Sequence, residues 1–247
     1  MIGGAQSFAG PVLVGLGLLG FACGAVVHGA AGRPTVWTTR GMNATERPAV
    51  WERLSVHLAV VGAWSLFFGL FVWRGPAVAA WDVRLPGEAN WRVWPAAEWV
   101  YVMGYLTPLV VAWVAPTRGA LRRFCVHLGV LSVVSGLCFW FLPIVSPPRA
   151  WDAEASGVTA RLLSWELGRA DFGAVSFPSF HVFWAMLIAS VLAERGRGWK
   201  VAGWCWAVAM SVACVLNGAH AVLDVAASWA IWSLMSWAGI RRRSSRT

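Results

Sequence analysis

Two ionisable side chains, His220 and Asp224, lie four residues apart in the apolar segment NGAHAVLDVAASW. A helix through this segment would bring both side chains to one face, roughly 6 Å apart along its axis. An ionised aspartate at the centre of a membrane helix costs on the order of 3 kcal/mol, so a compensating partner is expected. A hydrogen bond between ring nitrogen and carboxylate would fix the imidazole tautomer for chemistry. A structural pair that joins this helix to a neighbour is an equally good interpretation.

A second histidine, His181, follows Pro178 and Ser179 in VSFPSFHVFW, at the start of another apolar run. Serine is a preferred N-cap, and a preceding proline discourages the helix from extending upstream. The free N–H groups of the first helical turn would form an anion site, to which Ser179 contributes either as the cap or as a phosphate ligand. The guanidinium of Arg149, in FLPIVSPPRAW, also suits phosphate because its donors form a planar fork.

The elements that must position these residues are membrane helices. Apolar residues make up 58% of the 247 positions and charged residues only 13%, which is outside the range of a soluble domain. No strand pattern is visible, and a membrane-spanning helix needs about 20 apolar residues. The sequence predicts an all-α integral membrane protein of about seven transmembrane helices, at 8–29, 54–73, 98–115, 121–142, 179–194, 199–216 and 220–238.

The distribution of basic residues predicts the orientation of these spans. Most of the 20 basic side chains fall on the side that holds the C-terminus, whereas the segment before 8–29 has none. Because positive charge marks the cytoplasm, we expect the N-terminus outside and the C-terminus inside, with His181 and His220 at extracytoplasmic helix ends. The first span is long enough to be a retained helix rather than a cleaved signal peptide. Topology also explains the net charge of +9, so nucleic acid is not needed as a partner.

Neither the cysteines nor the tryptophans indicate a cofactor. The 5 cysteines include no Cys-x-x-Cys pair, which supports neither a disulfide framework nor a zinc site. Most of the 19 tryptophans lie near predicted span ends and suit the aromatic belt of a membrane protein.

Three short motifs resemble those of a family of membrane enzymes. PSFH at 178–181 resembles the Pro-Ser-Gly-His motif of the type 2 phosphatidic acid phosphatase superfamily, and HAVLD at 220–224 resembles the end of its third motif. FLPIVSPPR resembles the first-motif region of the inositol phosphorylceramide synthase-like branch. The resemblance covers about 121–238. It implies that the last four helices form a catalytic core at 118–240, after three N-terminal helices at 1–117 and before a basic cytoplasmic tail at 241–247.

Several positions depart from the superfamily pattern. Leu142 stands seven residues before Arg149, where the first motif has a lysine, and Phe180 replaces the glycine of the second motif. Ala213 and Cys214 stand where the third motif has serine and arginine. Two phosphate-holding cations of the phosphatases are therefore missing, which favours the synthase-like branch or a diverged and slower enzyme.

The resemblance implies a role for each residue. His220 attacks phosphorus, Asp224 orients and charges this histidine, and His181 protonates the leaving oxygen. Arg149 and the helix start at Ser179 bind the phosphate. A neutral imidazole backed by a carboxylate is a competent nucleophile, and a second histidine can donate a proton and later accept one. These residues require no metal and no cofactor.

The sequence thus predicts a lipid-phosphate phosphatase or phosphotransferase that acts through a phosphohistidine on substrates from the bilayer. Hydrolysis and transfer differ only in whether water or an alcohol attacks the phosphoenzyme. One alternative is a polyprenyl diphosphate phosphatase. Another is a proton-coupled transporter in which the two histidines and the aspartate form a relay. Abundant arginine beside a single lysine suggests a GC-rich bacterial genome, and hence the bacterial plasma membrane.

Overall fold

Helices dominate the fold in the computed structural model, which describes residues 45–74, 81–142, 144–145, 149, 157–159, 161–162 and 176–244. The predicted first span at 8–29 lies outside these residues. In chain order the helices are α1 (Val50–Arg74), α2 (Ala97–Met103), α3 (Thr107–Val114), α4 (Arg118–Phe141), α5 (Phe180–Leu192), α6 (Arg197–Leu216) and α7 (Val222–Ser244). Short 3-10 helices cover Glu88–Asn90, Gly104–Leu106 and Ala193–Arg195.

Within the described residues, three helical stretches are long and apolar enough to cross a membrane. They are Ala97–Val114, which joins α2 to α3, then Arg118–Phe141 and Arg197–Leu216. Each coincides within a few residues with a predicted span, and the result is consistent with an all-α membrane protein. The number of seven spans stays a prediction.

The helix that begins at Phe180 ends in a 3-10 turn. Helix α5 has 13 residues and continues as the 3-10 helix at Ala193–Arg195, and together they match the predicted span 179–194 within one residue at each end. At 1.5 Å per residue, α5 is about 20 Å long, less than the hydrocarbon core of about 30 Å. Helix α7 includes a shorter apolar helical segment, Val222–Trp237.

Within the described residues, a two-residue strand pair departs from the prediction that the fold has no strands. Strand β1 (Trp81–Asp82) pairs in parallel with β2 (Ile144–Val145), with Trp81 opposite Ile144. Two residues are too few to show the alternating pattern by which strands are recognised, which explains the difference. The pair ties the segment before α2 to the segment after α4.

The chain divides into two compact units that alternate along the sequence. The first comprises Met1–Gly75, Tyr105–Gly136 and Leu187–Gly203. Within it, α1 packs against α3. Arg118 joins this unit's first segment to α4, because its guanidinium forms ion pairs with the carboxylates of Glu46 and Glu52.

The second unit comprises Pro76–Gly104, Leu137–Met186 and Trp204–Thr247. Its helices are joined by polar contacts as well as apolar packing. The Ser211 hydroxyl accepts a hydrogen bond from the Trp229 indole N–H at 3.0 Å, and the Ser228 hydroxyl donates to backbone carbonyls. All five predicted site residues belong to this unit, whereas the predicted division at residue 118 stays a prediction.

Candidate active site

His220 and Asp224 meet at the start of α7 rather than along its side. The helix begins at Val222, so His220 lies in the preceding turn, not on the helical face that the spacing predicts. Asp224 Oδ2 accepts the N–H of Ala221 at 2.9 Å, which satisfies a donor at the helix start. The same oxygen lies 3.4 Å from Nδ1 of His220. Asp224 is fully buried and His220 nearly so, which keeps the pair away from water.

The turn before α7 is built by an Asn-Gly pair. Gly218 has a φ of 84°, a left-handed conformation that glycine adopts at no steric cost. The Asn217 side-chain oxygen accepts the N–H of Ala219 at 3.0 Å, and the N–H of His220 donates to the carbonyl of Cys214 at 3.1 Å. These bonds reverse the chain after α6 and fix the backbone of His220.

His181, the second residue of α5, lies beside His220. The centroids of the two imidazole rings are 5.9 Å apart, with an angle of 62° between their planes. Tyr101 of α2 stacks on His181, with ring centroids 4.1 Å apart. Gly104 makes this close approach possible, because a Cβ at this position would lie 3.1 Å from Cδ2 of His181 and 2.9 Å from Cε of Met210. The ring of His181 is therefore held from two sides.

Ser179 is fully buried at the N-terminus of α5. Its hydroxyl oxygen accepts the N–H of Val182 at 3.5 Å and lies 3.9 Å from the sulfur of Cys214. Its own N–H donates to the Asp224 carbonyl at 3.3 Å, so the start of α5 is tied to α7. The ring of Phe180, at the position of the motif glycine, packs edge-on against Trp184 within the same helix.

Arg149 is a buried cation with an unused donor. The residue is only 3% exposed, and no described protein atom accepts a hydrogen bond from its Nη2. Gly218 permits the close approach of this side chain, because a Cβ at Gly218 would lie 3.4 Å from Cβ and 3.5 Å from Nε of Arg149. Burial lowers the pKa of Arg149, and the negative charge of Glu88 opposes this effect. A buried guanidinium donor without a partner is costly, so this position suits an anionic ligand.

Two buried glutamates complete the site, and neither was predicted from the sequence. Glu88 is fully buried, and its two carboxylate oxygens accept the N–H groups of Val222 at 3.0 Å and Leu85 at 2.9 Å. Glu98, also fully buried, accepts a hydrogen bond from the Asn217 side-chain nitrogen at 2.9 Å. The signal in the sequence was the presence of acids at the edges of apolar segments in a chain with only 11 acidic residues.

The arrangement places two histidines, a carboxylate and a buried arginine in one unit. An imidazole beside a carboxylate is a nucleophile or a base, a second imidazole is an acid, and a guanidinium binds an oxyanion. Within the described part of the chain, no group of three or more His, Cys, Asp or Glu side chains is arranged to bind a metal ion.

The described fold is consistent with an all-α membrane protein, and the candidate cluster of His181, His220, Asp224 and Arg149 lies within one of its units. A family model described as the PAP2 superfamily matches residues 88–238, more than half of the chain. The chain belongs to this superfamily, whose members are phosphatases and phosphotransferases. The match begins at residue 88, whereas the motif-based resemblance covers only 121–238, so it takes in both buried glutamates and Tyr101. Searches of curated proteins and of solved structures returned no match.

Proposed function

We propose that the chain is an integral-membrane lipid-phosphate phosphatase or phosphotransferase that works through a phosphohistidine at the extracytoplasmic face. The observation that carries the proposal is the unused Nη2 donor of the buried Arg149, in the same unit as His181 and the His220–Asp224 pair. Membership of the PAP2 superfamily supports phosphatase-type chemistry.

His220 is the nucleophile in this proposal. Its Nδ1 faces the Asp224 carboxylate at 3.4 Å, so a proton on Nδ1 leaves the Nε2 lone pair available to attack phosphorus. The carboxylate then stabilises the positive charge that develops on the ring as the N–P bond forms. Burial of the pair strengthens this interaction, because little water is present to screen it.

His181 is the general acid and base. When the N–P bond forms, the bond from phosphorus to the lipid oxygen breaks, and His181 gives its proton to that oxygen. In the second step His181 takes a proton from water or from an acceptor alcohol, whose oxygen attacks phosphorus as the N–P bond breaks. The centroids of the two imidazole rings are 5.9 Å apart, so both rings are close enough to act on one phosphoryl group.

Arg149 and the start of α5 bind the phosphate. The Arg149 fork would contact the equatorial oxygens, on which the transition state carries its charge. The Ser179 hydroxyl already accepts the N–H of Val182 as a helix cap. In the proposal, Ser179 presents the first turn of α5 to the phosphate, and direct contact by its hydroxyl requires a change of hydrogen-bond partner.

The substrate is a lipid that enters from the bilayer, and the acceptor chemistry is that of the inositol phosphorylceramide synthase-like branch. The absence of two motif cations, at Leu142 and Cys214, supports this branch. The uneven distribution of basic residues supports an active site on the extracytoplasmic side of a bacterial plasma membrane, with seven spans in total.

Phosphate release and phosphate transfer by the purified full-length protein test the proposal directly. The assay uses a panel of radiolabelled lipids, namely phosphatidic acid, other phospholipids and polyprenyl diphosphates, with and without an alcohol acceptor. We expect His220→Ala and His181→Ala to lower the rate at least a hundredfold. The label should be trapped on the wild-type chain in an acid-labile, base-stable form and be absent from His220→Ala.

His57 provides the matched control, because it is a histidine of the first unit that packs near Trp113 and lies outside the cluster. His57→Ala should keep the wild-type rate. A preference for polyprenyl diphosphates in this assay would identify them as the substrate class and leave the proposed mechanism unchanged. A wild-type protein that neither releases nor transfers phosphate on any lipid, but moves a solute into liposomes, would contradict the proposal.

A further inference from the structure

The first unit contains a basic pocket that shares no residue with the catalytic cluster. The pocket has a volume of about 550 Å³. Three arginines line it, Arg47, Arg53 and Arg195, and its apolar wall consists of Ala115, Pro116 and Trp199.

The carboxylates closest to this pocket are already paired with other arginines. Glu194, which also lines the pocket, forms a two-pronged ion pair with Arg123, at 3.0 and 2.5 Å. Glu52, next to Arg53, is bound by Arg118 at 2.9 Å. Across the described ranges, no carboxylate lies within ion-pair distance of the three pocket arginines. Among the described residues, the pocket therefore carries a net positive charge.

Backbone carbonyls hold two of these arginines in place. Nη1 of Arg53 donates to the carbonyls of Ala112 at 2.9 Å and Trp113 at 2.7 Å, and Nε of Arg195 donates to the carbonyl of Val114 at 2.8 Å. These carbonyls end α3, where the helix dipole favours cations. The partial negative charge at the end of α3, about half an electron, does not balance three guanidinium groups. Capping of α3 therefore explains only part of the grouping of arginines in this pocket.

Neighbouring positive charges affect the pKa of Arg53. Burial lowers its pKa, and the charges of Arg195 and Arg47 lower it further against the opposing effect of Glu52. An anion in the pocket would relieve this repulsion. Arg195 also lies 5.6 Å from the centroid of the Trp199 indole, which restricts the guanidinium.

We propose that this pocket is a second, non-catalytic site that binds a phosphate group. Three arginines whose forks match phosphate oxygens give the charge and geometry for that ligand. The group can belong to an anionic phospholipid headgroup or to a soluble phosphate ion. The apolar wall and the exposed Trp199 favour the lipid source, because tryptophan is enriched at headgroup level in membrane proteins. Basic pockets between helices are typical sites for such headgroups.

Thermal unfolding of the full-length protein in detergent tests this site without measuring activity. Three probes are added in separate titrations: phosphatidylglycerol, phosphatidylcholine and inorganic phosphate. A ligand that binds only the folded protein raises Tm, and the dependence on its concentration gives an apparent affinity. The variant is Arg47→Glu, since Arg47 is exposed and has no described partner whose loss would weaken the fold. Arg122→Glu is the matched control, because Arg122 is also exposed, lies outside the pocket and changes the net charge equally.

We expect phosphatidylglycerol to raise Tm of the wild type, and Arg47→Glu to weaken its apparent affinity about tenfold, as the loss of one charged hydrogen bond predicts. Arg122→Glu should bind like the wild type, and Arg195→Lys should bind more weakly because lysine lacks the fork. A comparable shift with inorganic phosphate alone would support the same site with a soluble ligand. The proposal would be overturned if Arg47→Glu and Arg122→Glu weakened the apparent affinity equally. It would also be overturned if neither phosphatidylglycerol nor inorganic phosphate raised Tm of the wild type. Any binding of these probes at the catalytic cluster should be the same in all the variants, so a difference in apparent affinity between variants reports on the pocket alone.

Discussion

Glu88 Oε1 accepts the backbone N–H of Val222 at 3.0 Å, so a fully buried carboxylate caps the helix that carries Asp224. Glu88 and Val222 are 134 positions apart in the chain. The same carboxylate binds the N–H of Leu85, and its negative charge opposes the lowering of the Arg149 pKa by burial. Glu88 therefore fixes the start of the helix that carries Asp224 and acts electrostatically on Arg149, the arginine that we propose binds phosphate.

Glu88→Ala should lower stability and activity together. The change leaves the Val222 and Leu85 N–H groups without an acceptor, at a cost of about 1–3 kcal/mol, and removes the charge that faces Arg149. Thermal unfolding and phosphate release measured on the same preparation check this. Glu88→Gln should be intermediate, because the amide has one acceptor oxygen in place of two, so one of the two N–H groups faces an NH2 group instead of an acceptor. Glu46→Gln is the control, since its exposed ion pair with Arg118 is worth less than about 1 kcal/mol. Equal effects of Glu46→Gln and Glu88→Ala would contradict this role.

Asp224→Asn should remove activity while leaving the fold intact. The asparagine oxygen can still accept the Ala221 N–H, so the helix cap survives. The oxygen that accepts this N–H is also the one that faces Nδ1 of His220, so the ring proton can stay on Nδ1 while the negative charge beside the ring is lost. We expect kcat to fall about a hundredfold or more, because no carboxylate then stabilises the positive charge that develops on the ring as the N–P bond forms. Circular dichroism and single-turnover kinetics separate this result from misfolding, and near-normal kcat would exclude the proposed role of Asp224 in activating His220.

Local sequence patterns predicted the helices and the partnership of His220 with Asp224, because length, apolar content and spacing are local properties. They misplaced the start of α7. Asn217 and Gly218 form the turn, and an Asn-Gly pair is itself a turn signal that ends a helix. Four-residue spacing brings His220 and Asp224 together whether the helix begins before His220 or at Val222. The predicted partnership was therefore correct although the predicted helix boundary was not.

Long-range contacts were beyond this kind of prediction. Glu98 reaches Asn217 across 119 positions, and no periodicity in a single sequence encodes such a partnership. The burial of Arg149 was equally hidden, because its neighbour Gly218 comes from another part of the chain. The sequence marked Arg149 as a candidate phosphate ligand, but only the rarity of acids in an apolar chain could have marked Glu98.

Arg149→Lys should weaken binding of the phosphate more than it slows the chemistry of bound substrate. Lysine keeps the charge but loses the fork, so the donor that Nη2 supplies disappears. We expect the inhibition constant of inorganic phosphate and KM to rise about tenfold, with a smaller change in kcat. Steady-state kinetics with phosphate as a competitive inhibitor measure both. Arg92→Lys, at an exposed arginine of the same unit, should leave these constants unchanged. An unchanged inhibition constant in Arg149→Lys would remove Arg149 from the phosphate site.

Gly104→Ala should displace His181, the proposed general acid, without unfolding the protein. The added Cβ would lie 2.9 Å from Cε of Met210 and 3.1 Å from Cδ2 of His181, so one of these side chains must move. A shift of about 1 Å in a catalytic group can cost a hundredfold in rate, and we expect kcat to fall between tenfold and a hundredfold. Gly129→Ala is the control, because its Cβ would meet no atom within 4 Å. Met210→Ala added to Gly104→Ala gives the Cβ space on the side away from His181 and should restore part of kcat. Full activity of Gly104→Ala alone, with normal Tm, would show that the position of His181 does not limit the rate.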